Sequence, residues 1–149
     1  MRLMLDTSVL IAIEHGSRNM LERIEAFKPR EVCMSAICLI ELEVGVEKGA
    51  QRTKTRGSVD WLVNKFAVVP FDALAARKAA KDIARHDLKG DRAGTFDALI
   101  AAHAAALALP VAYCDGDFNR FVGRTLESSK KRELNRGTNY AWPRPLFVC

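Results

Sequence analysis

Four short apolar runs alternate with longer helical stretches, and this alternation limits the fold more than any other feature of the chain. The runs are RLML at 2–5, EVCMS at 31–35, FAVVP at 66–70 and VAYC at 111–114. The segments between them are too long for hairpin turns and carry helical patterning. Strands joined by helices lie parallel, in a sheet covered on both faces. Helices are expected over 9–14 with Ser8 as N-cap, over 18–27 before Pro29, and over 36–48 with a stop at Gly49. Three more are expected: 53–65, the alanine-rich 73–88 ending near Gly90, and 96–109 with Thr95 at the cap and Pro110 beyond the end. Residues 146–149 read as a last strand. With no repeat, low-complexity tract or linker, the 149 residues read as one domain.

Hydrophobic residues make up 49% of the chain and charged residues 28%, a balance that excludes wholesale disorder. No apolar run approaches the ~20 residues of a membrane span. The first sixteen residues are apolar but contain Asp6 and Glu14, and lack the basic leader and cleavage site of a signal peptide. The expected compartment is the cytoplasm. Cysteines stand at 33, 38, 114 and 149 and histidines at 15, 86 and 103, with no zinc-type spacing. The net charge of +5 is concentrated at 120–136. There Arg120, Arg124, Lys130, Lys131, Arg132 and Arg136 face only Glu127 and Glu133. A second basic cluster is Lys48, Arg52, Lys54 and Arg56. Such clusters suit a polyanionic partner or a solvated face.

In a parallel α/β sheet the site lies beyond the carboxyl ends of the strands. Asp6 directly follows the first run and Asp115 the last, with Asp117 two residues on. Either aspartate alone reads equally as a cap or turn residue. Glu41 is placed by helical periodicity away from Glu43 and Glu47, beside Ile37 and Val44 on the apolar side. A carboxylate there is either satisfied by an Arg or backbone amide, or bound to a cation. Asp97, in the first turn of its helix, either complements the helix dipole or points into the crevice. If Asp6, Glu41, Asp97 and Asp115 converge, their mutual repulsion requires a compensating cation. An all-oxygen set selects Mg²⁺, with Mn²⁺ as a substitute. Such a site polarises a phosphate and lowers the pKa of a bound water.

These residues also carry a family resemblance. MLDTSVLIA, SAICLIELEVG, GDRAGTFDALIAAHA and YCDGDF follow one another as in PIN-domain proteins, and most closely resemble VapC-type toxins of bacterial toxin–antitoxin pairs. The resemblance covers 1–122 and implies a PIN-like three-layer α/β/α fold with a central, mostly parallel sheet of about four or five strands. It places the catalytic acids at Asp6, Glu41, Asp97 and Asp115, with Asp6, Asp97 and Asp115 on the metal and Ser8 and Asp117 in support. Gly90 and Gly94 match the paired glycines before the third acid. The implied activity is Mg²⁺-dependent endoribonucleolytic cleavage by a homodimer, silenced by a VapB-like antitoxin.

The chain departs from the resemblance at 123–149, a long basic extension. Arg120 just before it and Arg124, Lys130, Lys131 and Arg132 within it are the candidate RNA contacts. Apolar residues beyond the needs of one core, among them Leu39, Leu42, Val46, Trp61 and Leu62, are candidates for the dimer surface. A haloacid-dehalogenase-like phosphatase would need a second Asp two residues after Asp6, where Ser8 stands. A non-catalytic PIN-like module for RNA binding or scaffolding is the remaining alternative.

Overall fold

The computed structural model describes residues 1–86, 92–114 and 121. The elements, in chain order, are β1 (Leu3–Leu5), α1 (Thr7–Glu14), α2 (Arg18–Glu25), a 3₁₀ turn (Pro29–Glu31) and β2 (Val32–Ser35). They continue with α3 (Ala36–Lys48), α4 (Arg52–Lys65), β3 (Ala67–Val69), α5 (Ala73–His86), α6 (Arg92–Ala106) and β4 (Val111–Ala112). The expected strand at 146–149, the basic extension, Gly90, Asp115 and Asp117 lie outside the described residues.

The four strands form one parallel sheet in the order β3-β2-β1-β4. β1 and β2 are buried along their whole length. A strand covered on both faces must be apolar at every position, which is why these runs do not alternate. Connections from β1 to β2 to β3 step one way, and the β3–β4 connection returns across β1. Parallel crossovers are right-handed. The first two therefore carry α1–α4 to one face and the last carries α5 and α6 to the other. The core lies between them, around Met4, Leu5, Leu10, Met34, Leu62 and Ile100.

Several expected boundaries move. Asp6, not Ser8, caps α1, accepting from the Ser8 N–H at 3.0 Å. β1 runs into α1 without a loop, so the residue that ends the strand also opens the helix. Helix α2 stops at Glu25, two residues before the expected end. Helix α3 spans 36–48 and stops at Gly49, as expected, although Gly49 is extended rather than left-handed; Ser35 is its cap.

Helix α6 differs most. It starts at Arg92, so Thr95 is its fourth residue and not its cap, and Asp97 stands in its second turn. It also ends early. Ala108 adopts a left-handed backbone, φ 54°, and donates to Ala105 O, while Leu109 N donates to Ala104 O. That pair of bonds is a Schellman termination, formed here with alanine where glycine is usual. β4 is shorter than expected because β1 has already become helix. The Cys114 N–H donates to the Ser8 Oγ at 2.9 Å instead of to a strand.

On α3 the core-facing stripe runs through Cys38, Leu42 and Val46. Val44 was expected on the apolar side with Ile37, but it is 43% exposed, and Ile40 beside it is 48% exposed. Of the surplus apolar residues, Leu42, Val46 and Leu62 are core and Leu39 packs against it. Only Trp61 stays on the surface, with the Lys65 ammonium 4.9 Å from its ring centre. Among the described residues no helix is long and apolar enough to cross a membrane.

Candidate active site

The order of connections reverses between the parallel strands β1 and β4, and in open parallel sheets the crevice at the carboxyl ends of such a pair is the usual site position. Leu5 pairs with Ala112 in register, and the Asp6 N–H donates to Ala112 O at 2.9 Å. The ladder thus extends one step past β1 and fixes Asp6 at the mouth of the crevice. Asp6 is 3% exposed. Its Oδ2 accepts from the Ser8 N–H and from the Ser8 Oγ at 2.5 Å. Ser8 therefore donates its hydroxyl hydrogen to the first acid and accepts from the end of β4, joining the two sides of the crevice.

Glu41 reaches the same place from α3. The Thr7 hydroxyl donates to its Oε2. Burial raises the Glu41 carboxyl above its ordinary range, the Thr7 hydrogen bond opposes this, and the nearby Asp6 charge adds to it. A helical turn earlier, burial and the same carboxylates push the Cys38 thiol up to about 12, so it stays protonated. The donors here are oxygens, two of the side chains are carboxylates that repel one another, and the thiol is silent. That chemistry fits a hard divalent cation and not zinc.

The structure brings Asp6, Ser8 and Glu41 together, with Thr7 between. Asp97 is half-buried on α6, and Gly94 is buried one turn before it. Among the described residues no three His, Cys, Asp or Glu side chains gather closely enough to hold a metal ion. Arg120, Arg124, Lys130, Lys131 and Arg132 lie outside the described residues, as do Asp115 and Asp117.

Three buried polar residues were not singled out by sequence reasoning: Thr7, Ser35 and His103. The only signal for Thr7 was its place directly after Asp6. His103 is 1% exposed. Its Nδ1 lies in hydrogen-bond contact, at 2.9 Å, with the Ser35 Oγ, and that oxygen accepts from the Ile37 N–H and so caps α3. The Phe71 ring packs edge-on against the imidazole. Burial lowers the pKa of His103, against the pull of Asp72 and of a backbone hydrogen bond to Pro70. One polar residue inside the alanine-rich run AAHAAA was the available clue.

Two of the four members of the second basic cluster are ion-paired. Arg56 reaches Glu43 at 2.5 Å and Glu47 at 3.4 Å, and Arg52 reaches Glu47 at 3.8 Å. These pairs clip α3 to α4, so half of the cluster's charge is already engaged.

The PIN domain family model matches residues 3–123. The chain belongs to the PIN-domain family. Within that family it is 38% identical over 125 residues to Ribonuclease VapC5 of Mycobacterium tuberculosis, covering 80% of this chain and 87% of the relative. It is 30% identical over 129 residues to the tRNA(fMet)-specific endonuclease VapC of Salmonella typhimurium, covering 85% and 97%. The PIN fold also matches the crystal structure of VapBC-5, a toxin–antitoxin system of M. tuberculosis. There the TM-score is 0.60 at 33% identity, over 81% of this chain and 90% of that one. VapBC2 of Rickettsia felis, bound to a promoter DNA fragment, matches in fold with a TM-score of 0.70 at 22% identity, over 81% and 93%.

Proposed function

We propose that this PIN-domain chain is a VapC-type endoribonuclease that hydrolyses RNA phosphodiester bonds with Mg²⁺ or, as a substitute, Mn²⁺. The observation that carries the reading is the buried Asp6 at the end of β1, with Glu41 brought beside it through Thr7 at the sheet's point of reversal. The activity named for the relatives agrees with it.

Asp6, Glu41, Asp97 and Asp115 are the catalytic acids of this reading. Asp6, Asp97 and Asp115 are the metal ligands, and Asp117 stands in support. When bound, a divalent cation offsets the carboxylate charge and polarises the scissile phosphate. The rest is the work of the chain. Ser8 holds the Asp6 carboxylate by Oδ2 and ties it to the end of β4. Burial beside a like charge leaves Glu41 eager for a proton or a cation.

The reading takes residues 1–149 as one domain, acting in the cytoplasm as a homodimer. A VapB-like antitoxin is its neutralising partner, whose C-terminal segment enters the crevice with an Arg or Lys in place of the cation's charge. Exposed Ile40 and Val44 on α3 and Trp61 and Val63 on α4 supply apolar surface for assembly.

The test is incubation of the purified protein with total RNA and Mg²⁺. Cleavage should occur, and it should disappear with EDTA, in Asp6→Asn and in Glu41→Gln, each still folded by circular dichroism. Undiminished cleavage by a folded Asp97→Asn protein would remove Asp97 from the set. RNA that is bound but never cut would favour the non-catalytic module.

A further inference from the structure

We propose that Thr7 is a positioning residue for Glu41, its hydroxyl setting the orientation in which that carboxylate faces the reaction centre. The inference rests on the nuclease reading of Glu41.

Thr7 is the first residue of α1, and its backbone is placed by the Asp6 cap. Its side chain is buried. A β-branched side chain packed in this way has few χ1 choices, so the hydroxyl direction is set by the fold. Its neighbours across the gap are Cys38 and Glu41, three residues apart and so on one face of α3. The thiol is fully buried and turned toward the Leu5 carbonyl, with Sγ 3.5 Å from that oxygen. The Thr7 hydroxyl also borders the Cys38 thiol and works against its raised pKa, but a hydroxyl has one hydrogen to give, and the short bond to Glu41 Oε2 takes it.

Glutamate is long and rotamer-rich, and a carboxylate left to swing across the crevice would be a poor reaction partner. A neutral donor fixes it without cancelling its charge. An Arg or Lys in the same place would form an ion pair and compete with any cation. Thr7 also lies next to Asp6, so one turn of α1 sets both acids: Ser8 holds Asp6 and Thr7 holds Glu41.

The experiment compares Thr7→Val, which keeps the shape and loses the hydroxyl, with Thr7→Ser, which keeps the hydroxyl and loses the methyl. Glu41→Gln is the reference. The readouts are initial cleavage rate on total RNA, Mn²⁺ affinity by calorimetric titration, and RNA affinity. Thr7→Val should lose about 10–100-fold in rate, the range typical for groups that orient a metal-site carboxylate, and should weaken Mn²⁺ in the direction that Glu41→Gln does. RNA affinity should stay unchanged, and Thr7→Ser should recover most of the rate. Wild-type behaviour of Thr7→Val beside an inactive Glu41→Gln overturns the inference. Equal impairment of folded Thr7→Ser and Thr7→Val also overturns it, because the methyl and its packing would then be what matters. A fully active Glu41→Gln overturns the nuclease reading of Glu41 itself. If Thr7→Val does not fold, Thr7→Ala takes its place in each comparison.

Discussion

Burial disfavours the charged form of both the half-buried Glu41 and the fully buried His103, and so moves their pKa values in opposite senses. Glu41 has a folded pKa raised above 4.5. Its contribution to stability is therefore full below 4.5 and is lost as the pH rises through the folded value. At neutral pH the ionised side chain destabilises the metal-free fold. Glu41→Gln should raise the melting temperature in EDTA at pH 7, by about 2–4 °C for each kcal/mol relieved in a chain of this size, while abolishing cleavage. The gain should vanish near pH 4.5. His103 has a folded pKa lowered below 6.5, because burial disfavours its charge. Its contribution is present above 6.5 and is lost as the pH falls toward the folded value. His103→Gln keeps an acceptor for Ser35 and removes the titration. Its melting temperature should fall less between pH 7 and pH 5 than that of the wild type, as thermal melts across this range will show.

At the scale of elements, the ends of α6 show how a local rule is overridden by its surroundings. Ala108 sits at φ 54°, where a Cβ meets the following carbonyl and costs about 1–2 kcal/mol. The Schellman bonds and the return of the chain through Leu109 and Pro110 into β4 hold it there. Ala108→Gly removes the clash but frees the unfolded chain, which offsets about 0.4–1 kcal/mol. The net expectation is a stabilisation of up to about 1 kcal/mol, read from urea unfolding midpoints at unchanged slope. In the middle of the sheet the sign reverses. Met34 on β2 is fully buried, and Met34→Ala should destabilise the fold by about 2–5 kcal/mol through lost burial and the cavity left behind.

For the whole molecule, an acidic crevice repels RNA, so attraction must come from the surrounding surface. The basic stretch from Arg120 to Arg136 starts just after Asp117 and holds most of the net charge, whereas Arg52 and Arg56 are engaged with Glu43 and Glu47. Replacing Lys130, Lys131 and Arg132 with Ser should weaken RNA binding across sequences. Each lost phosphate contact should reduce the salt dependence by roughly one unit of slope, slightly less on single strands. Affinities measured at several salt concentrations with the Asp6→Asn protein, which spares the substrate, check this. An unchanged slope would assign the stretch to another partner.

The order of elements and the placing of Asp6 at a strand end were legible from the sequence, because both depend on local spacing and hydrophobic period. Helical period, at 100° per residue, set Glu41 apart from Glu43 and Glu47 but left its role open; the choice of Glu41 as the site acid came from the family resemblance. The contacts that make the site lie beyond any local rule. Thr7 meets Glu41 across 34 residues, Ser35 meets His103 across 68, and Ser8 meets Cys114 across 106. Which hydroxyl orients which carboxylate follows from the packing of α1 against α3 and of β4 beside β1. Periodicity likewise put Val44 on an apolar side, but only the packing of Cys38, Leu42 and Val46 against the sheet decided that this side faces outward. Helical period tells a residue's angle on its own helix; the direction of the core is a property of the assembled layers.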